Sequence, residues 1–221
     1  MSRFLLRWLI RMAVVVVVLS LLVTLPLRWI NPATSAFMEQ ERWHGQPIRF
    51  RFESIDNLPA HVPLAIIAAE DQNFPHHRGF DVGEIRKALD THRAGGRLRG
   101  ASTLSQQLAR NLYLWPGRSW VRKGLESWLT GWLELTLPKR RILELHINLA
   151  EFGPGVYGVD AAAVHYFGKP APLLTRAEAA LLAGVLPAPK QFDVGRPGPQ
   201  LTERQAWILA QMNQLGEAWV P

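Results

Sequence analysis

An uncharged apolar run near the amino terminus is the feature that most constrains this chain. It extends from Met12 to Leu27 and contains five consecutive valines, which favour no amphipathic face. As a helix the run is about 24 Å long, and counting from Trp8, with Arg11 extending to the interface, gives about 30 Å, the thickness of a bilayer's hydrocarbon core. The sequence therefore predicts one transmembrane helix over about residues 8–28.

The residues that flank this run predict its orientation. Arg3, Arg7 and Arg11 precede it, and Trp8 and Trp29 stand where interfacial aromatic residues are expected. By the positive-inside rule, residues 1–30 form a cytoplasmic tip and an anchor, and the rest of the chain lies outside. Two alternatives remain open at this point. One is a signal peptide cleaved in the small-residue segment 33–36, although the run exceeds the usual length of a signal core, and the other is a buried globular helix.

The remainder of the chain predicts a mainly α fold. Residues 31–57 are punctuated by proline and suggest a linker that ends in a short extended piece, and residues 58–221 suggest one helical domain. Side chains that could begin or cap helices support this interpretation. The expected N-caps are Asp81, Ser102, Ser119, Thr175 and Thr202, and Pro138 is expected in a first helical turn.

Composition limits the chemistry. There is no cysteine, which excludes disulfides, zinc–thiolate sites and thiol nucleophiles. The formal net charge is +7, and between Arg78 and Arg110 basic residues outnumber acidic ones seven to three. This excess suits a polyanionic partner such as nucleic acid, anionic headgroups or a pyrophosphate, and it equally suits a solvated basic face.

Three segments combine residue types that could carry chemistry. In the first, Glu70 and Asp71 follow a run of small apolar residues, and a desolvated carboxylate there would have a raised pKa suited to acid or base work. The pattern continues through Phe74, His77 and Gly79. An isolated Glu-Asp pair would more commonly be two solvated acids at a helix end, but the whole pattern is far more specific.

The second segment begins at Gly100 and opens a helix. Backbone N–H groups with the hydroxyls of Ser102 and Thr103 could receive anionic oxygens, and the amides of Gln106 and Gln107 could bond sugar hydroxyls. Arg110 adds a fixed charge that suits phosphate. In the third segment, Arg118 is followed by three residues that share one helix face. These are Arg122, Lys123 and Glu126, and alone they would indicate only a surface ion-pair ladder.

A fourth segment, Lys139 to Asn148, predicts mainly architecture, with Asn148 able to orient a neighbour. Together these four patterns, in this order, resemble the motif signature of the peptidoglycan glycosyltransferases, the family shared with the amino-terminal halves of bifunctional penicillin-binding proteins. The resemblance covers about residues 58–192 and ends with the segment Arg176–Pro189. The length and single anchor are most similar to the monofunctional biosynthetic members. Arg110 stands where many members have lysine, and His146 where many have tyrosine.

The resemblance implies a lysozyme-like helical domain with a small membrane-associated lobe, in the inner (cytoplasmic) membrane of a bacterial cell with its catalytic part on the periplasmic face. It implies transfer of a growing glycan from undecaprenyl pyrophosphate to the 4-hydroxyl of lipid II, with a β-1,4 bond formed. The expected partners are lipid II, the polyprenyl-linked glycan chain, the lipid bilayer and other cell-wall synthases. No Ser-x-x-Lys, Ser-x-Asn or Lys-Thr-Gly set is present, so no transpeptidase site is expected.

The resemblance also implies residue roles. Glu70 would be the catalytic base, and Glu126 would assist at the donor side. The other residues of the four patterns would contact substrate: Asp71, Phe74, His77, Ser102, Thr103, Gln106, Gln107, Arg110, Arg118, Arg122, Lys123 and Asn148. No cofactor is required by this interpretation and no protein metal site is expected, although a divalent Mg²⁺ or Mn²⁺ near the pyrophosphate stays open.

Three other functions compete. A glycan-cleaving, lysozyme-like enzyme would need a raised-pKa acid and no cationic site for a pyrophosphate, so the arginines argue against it. A non-catalytic membrane scaffold would not need an ionisable side chain at position 70, so Glu70→Gln would leave its activity in cells unchanged. A nucleic-acid binder would explain the charge but neither the anchor nor the ordered acids, and no nucleic acid is expected as a partner.

Overall fold

The computed structural model describes residues 3–96, 102–117 and 119–221. In these residues the fold is mainly helical, as the sequence predicts. The helices are α1 (Arg3–Thr24), α2 (Ala36–Trp43), α3 (His61–Glu70), α4 (Val82–Arg93), α5 (Leu104–Tyr113), α6 (Trp120–Thr136), α7 (Lys139–Leu149), α8 (Val159–Phe167), α9 (Arg176–Val185) and α10 (Pro199–Leu215). Short 3₁₀ turns lie at Leu25–Arg28, Ile55–Asn57, Ala171–Leu173 and Glu217–Trp219.

A small sheet joins the segment before α3 to the segment after α7. Its strands are β1 (Arg49–Phe50), β2 (Glu151–Gly153) and β3 (Val156–Tyr157), in the order β1-β3-β2. β1 runs parallel to β3, and β2 runs antiparallel to it. The sheet therefore ties residues far apart in sequence to one edge of the helical domain.

The centre of the domain is α3, which is apolar all round and buried. Leu64 and Ile67 have no exposed surface, and the helix packs against α7, α9 and α10. Such a helix suits only a core position, because it has no polar face to turn toward water. Its last residue is Glu70, so burial of α3 carries a carboxylate to the edge of the core.

Most of the predicted helix starts are observed. The side chains of Asp81 and Ser119 cap α4 and α6, Thr175 and Glu178 form a capping box at α9, and Pro138 directly precedes α7. Two predictions were wrong. α5 is capped by Thr103 rather than Ser102, and α10 begins at Pro199 rather than after Thr202. At α10 the proline, which suits a first helical turn, takes precedence over the polar pattern that follows it.

The prediction of a linker over residues 31–57 also needs correction, because this segment is part of the domain. It contains α2, which packs on α5, and β1, which pairs with β3. Met38 is fully buried and Ile55 is 5% exposed. The segment lacks a long periodic pattern, so its contribution to the core comes from a few single side chains that sequence periodicity does not detect.

The amino-terminal helix is long and apolar enough, together with the turn that follows it, to cross a membrane. Most of α1 exposes its apolar side chains, as expected of a helix that meets lipid rather than protein. Its last turns approach α6. The helix therefore fits a single-pass membrane anchor.

Candidate active site

Glu70 lies at the carboxyl end of α3, where the buried helix reaches a cleft. Its side chain is 10% exposed. Gln107 Nε2 donates to Glu70 Oε2 at 3.0 Å, and Arg204 Nη2 lies 3.2 Å from Glu70 Oε1. Burial raises the pKa of the Glu70 carboxyl, while Gln107, Arg204 and Arg110 partly offset that shift. A carboxylate in this setting is suited to accepting a proton.

A cluster of cations lies on α5 and α6 in the same cleft as Glu70. Arg122 Nη1 is 3.6 Å from Glu126 Oε2, and Lys123 Nζ bonds the other oxygen of Glu126. The Glu126 side chain is only 2% exposed. Burial and the neighbouring Arg122 lower the pKa of Arg110, and the carboxylates of Glu126 and Glu70 act in the opposite direction. Glu126 is therefore buried behind Arg122 and Lys123 and fixes the positions of both cations.

The cleft between these groups has a volume of about 1160 Å³. This exceeds the usual 300–1,000 Å³ of small-molecule sites and suits an extended ligand. Two smaller recesses adjoin it, of about 340 Å³ beside Glu70 and about 350 Å³ beyond Arg110. The predicted residues that line the central cleft are Glu70, Ser102, Gln107, Arg110, Arg122, Lys123 and Glu126.

Asp71 and His77, predicted to bind substrate, instead bond to protein groups. Asp71 Oδ2 accepts from the backbone N–H of Leu104 at 2.9 Å and lies 3.0 Å from His77 Nε2. Asp71 lines the recess beside Glu70, but its carboxylate is used to hold the start of α5 against the end of α3. It thereby fixes Gln107 and Arg110 relative to Glu70.

Four further residues predicted to bind substrate also have protein partners in the structure. Phe74 is fully buried, with Lys139 Nζ 4.3 Å from its ring centroid. Thr103 and Gln106 form the capping box of α5, and Thr103 Oγ1 also donates to the carbonyl of Gly79 at 2.7 Å. Their polar atoms therefore shape the loop and helix start that border the cleft.

Asn148 is the clearest structural residue among the four. Its Oδ1 accepts from the Glu53 N–H at 2.7 Å, and its Nδ2 donates to the carbonyls of Glu53 and Glu144, each at 2.8 Å. The side chain is fully buried, so no polar atom is left to meet a ligand. Arg118, also predicted to bind substrate, lies outside the described residues.

Sequence reasoning missed Arg204, although a signal was present. Leu201, Arg204 and Ile208 recur at the spacing of one helix face, and the two apolar members are almost fully buried. An arginine on the inward face of a helix requires a partner, since an unpaired buried charge is costly. That partner is Glu70, 134 positions earlier.

No group of three or more His, Asp or Glu side chains that could hold a metal ion occurs in the described ranges. The carboxylates that line the cleft are Glu70 and Glu126. Each is already engaged by a cation, Glu70 by Arg204 and Glu126 by Arg122 and Lys123. A divalent metal prefers several free oxygen ligands, so either carboxylate would have to leave its cationic partner to bind one.

A helical domain that places a buried carboxylate and a cationic cluster in one long cleft defines an enzyme suited to group transfer from a phosphate-bearing donor to a hydroxyl. Comparison with known proteins agrees with this class. A family profile described as Transglycosylase matches residues 39–213, and the chain belongs to this transglycosylase family.

Individual relatives are similar over nearly the whole chain. The biosynthetic peptidoglycan transglycosylase of Ectopseudomonas mendocina (strain ymp) is 48% identical over 98% of this chain and 92% of that relative. The protein of the same name from Xylella fastidiosa (strain M23) is 48% identical over 95% of this chain and 89% of the relative. That from Xanthomonas campestris pv. campestris (strain B100) is 47% identical over 96% and 89%.

Proposed function

We propose that this enzyme polymerises the glycan strands of peptidoglycan. It transfers the growing chain from undecaprenyl pyrophosphate to the 4-hydroxyl of lipid II and forms a β-1,4 bond. The observation that carries this proposal is the placement of Glu70 in the same cleft as Arg110, Arg122 and Lys123. The names of the similar proteins, all biosynthetic peptidoglycan transglycosylases, support the same substrate.

On the acceptor side, Glu70 takes the proton of the attacking 4-hydroxyl. The hydroxyl oxygen bonds the anomeric carbon of the donor as the bond to the pyrophosphate breaks on the opposite face, so the α-linked donor becomes a β-linked product. Burial raises the pKa of Glu70 and makes it a stronger base than a solvated carboxylate. Gln107 and Arg204 hold one carboxylate oxygen each and so fix its orientation.

On the donor side, the negative charge that develops on the leaving pyrophosphate is stabilised by the cations of α5 and α6. Arg110, Arg122 and Lys123 are preorganised by the protein, so little reorganisation is needed when the charge appears. Glu126 acts through these residues, because it binds Arg122 and Lys123 directly. The charge of the leaving group is thus met by the side chains of Arg110, Arg122 and Lys123.

The proposal extends to location. Arg3, Arg7 and Arg11 precede α1, and the positive-inside rule then puts the amino terminus in the cytoplasm and the cleft on the periplasmic face of the inner membrane. There the cleft would meet substrates whose polyprenyl chains are embedded in the same bilayer.

A polymerisation assay tests the function directly. Full-length enzyme in detergent or nanodiscs is incubated with purified lipid II, and the glycan product is measured for wild type, Glu70→Gln and the control Glu217→Gln, a substitution at an exposed position. We expect polymer from wild type and control, and a loss of about 10²–10⁴-fold in Glu70→Gln with folding intact. Cleavage of preformed glycan without synthesis from lipid II would favour the lysozyme-like alternative, and full activity of Glu70→Gln would favour a scaffold.

A further inference from the structure

The last turns of α1 are held by the catalytic domain. Ser20 is 6% exposed and Thr24 is fully buried, whereas Leu19 and Leu22 beside them are 55% and 63% exposed. One face of the anchor is therefore covered by protein at this level, and the other faces remain free for lipid.

Three side chains of the domain make hydrogen bonds to this part of the anchor, each from a different helix. Trp128 Nε1 on α6 donates to Ser20 Oγ at 2.9 Å. Tyr113 OH at the end of α5 donates to the carbonyl of Val23 at 2.6 Å. Arg141 on α7 donates through Nε to the carbonyl of Leu27 at 2.7 Å and through Nη2 to that of Ile30 at 3.1 Å. We call Tyr113, Trp128 and Arg141 the anchor clasp.

The anchor needs these donors for a physical reason. The helix tightens to a 3₁₀ turn at Leu25–Arg28, and Pro26 has no N–H to give to the carbonyl of Val23. In hydrocarbon, where no water is present, a carbonyl left without a donor is unfavourable. Tyr113 donates to this carbonyl, so its removal would take one hydrogen bond from the anchor.

The clasp is also close to the cationic cluster along the helices that carry both. Tyr113 lies one turn beyond Arg110 on α5, and Trp128 lies two residues beyond Glu126 on α6, or about 3 Å along the axis. Helices transmit such spacings rigidly. Less than two helical turns separate the residues that contact the anchor from those of the cationic cluster. A shift of the domain relative to the anchor would therefore move both together.

We propose that Tyr113, Trp128 and Arg141 are positioning residues that hold the cleft at a fixed height and tilt relative to the anchor. This proposal rests on the proposed function, because its benefit applies to a substrate whose pyrophosphate lies at the surface of the same bilayer. Without these contacts, the domain would adopt many heights and tilts relative to the membrane, and only some of them would bring the cleft to the pyrophosphate. A clasped cleft is presented to the membrane-embedded pyrophosphate already oriented, which removes part of the entropic cost of the reaction.

The coupling itself can be measured, because the natural chain has no cysteine. Spin labels are attached to Val14→Cys on α1 and Leu173→Cys on the domain, 55% and 63% exposed in the natural chain, in the full-length protein in nanodiscs. Double electron–electron resonance should give one narrow distribution of label-to-label distances in this protein. The distribution should broaden when Tyr113→Phe and Trp128→Phe are added to the same labelled protein. A broad distribution in the starting protein, or no broadening in the variant, would contradict the clasp whether or not the enzyme polymerises lipid II.

The catalytic consequence is tested with two substrates. We expect Tyr113→Phe/Trp128→Phe to lower kcat/KM about tenfold for long-chain lipid II in the bilayer and to leave turnover of a short-chain, water-soluble analogue unchanged. The matched control is Tyr166→Phe/Trp43→Phe, in which Tyr166 bonds the carbonyl of Phe152 away from the anchor and Trp43 is 91% exposed on α2. An equal loss on both substrates, or no loss on either, would overturn the positioning role. Failure of the wild type on both substrates would instead contradict the proposed function.

Discussion

Arg204 Nη2 lies 3.2 Å from Glu70 Oε1 and 3.3 Å from the carbonyl of Ala69, so α10 completes the surroundings of the carboxylate at the end of α3. The Arg204 side chain is 30% exposed at the cleft and Glu70 is 10% exposed. The ion pair opposes the rise in pKa that burial causes at Glu70. The reactivity of Glu70 is therefore set by side chains from helices that lie far apart in sequence, Gln107 and Arg110 on α5 and Arg204 on α10.

The first prediction concerns the pH dependence of polymerisation. Arg204 lowers the pKa of Glu70, so Arg204→Met should raise that pKa further, and a base with a higher pKa is protonated over a wider acidic range. The acid limb of the pH–rate profile should therefore move to higher pH, with activity partly recovered in alkaline buffer. The control, Arg204→Lys, keeps the charge and should move the limb less. A profile unchanged by Arg204→Met would argue against Arg204 as a determinant of Glu70 reactivity.

The second prediction concerns Glu126. Glu126→Gln removes the carboxylate that Arg122 and Lys123 share, so these cations should repel one another and lose their fixed positions. We expect polymerisation to fall about 10²-fold with the fold preserved, because preorganised charge is lost at the leaving group. Asp90→Asn is the control, since it breaks an exposed ion pair with Arg93 on α4. Circular dichroism and lipid II turnover are measured together, and equal activity of the two variants would show that Glu126 has no such role.

The third prediction separates a structural from a substrate-binding role for Asn148. Asn148→Ala leaves the N–H and the carbonyl of Glu53 without their Asn148 partner, which should cost about 2 kcal/mol of folding free energy. The thermal midpoint in detergent should fall, while polymerisation per folded molecule, assayed well below that midpoint, should change little. Loss of activity at an unchanged midpoint would instead restore the substrate-binding role predicted from sequence.

The fourth prediction concerns acid stability and His146. Burial, together with the nearby Arg110, lowers the pKa of this imidazole from 6.5 to about 3 in the folded protein. Between these two pH values the unfolded chain binds a proton that the folded chain does not. The stability contributed by neutral His146 is therefore present above pH 6.5 and is lost as pH falls toward 3, by up to about 1.4 kcal/mol per pH unit.

His146→Leu removes this titration. Thermal unfolding of wild type and variant in detergent at several pH values from 7.5 to 4 gives the comparison. We expect the midpoint of the wild type to fall more steeply with acid than that of His146→Leu, whatever offset the change in packing introduces. Parallel curves would show that His146 is not held neutral by the fold.

Local chemistry made much of the helical architecture predictable. The caps at Asp81, Ser119 and Thr175 depend on contacts within one turn of helix, and the apolar run before Glu70 identifies a buried helix without knowledge of its neighbours. The segment at residues 31–57 escaped prediction because it joins the domain through a two-residue strand and isolated side chains such as Met38. Those contacts have no periodicity along the chain.

The sequence by itself determined the anchor, the helical class and the set of residue types from which the cleft is built. Tertiary structure decided which of them meet. Asp71, Thr103 and Asn148 have the same polar chemistry as ligand-binding residues, yet their hydrogen bonds go to the protein's own backbone. Gln107 and Arg204 reach Glu70 from positions 37 and 134 residues away. Such contacts depend on how whole helices pack, and apolar helix faces of similar composition are compatible with more than one packing until the complete core is assembled.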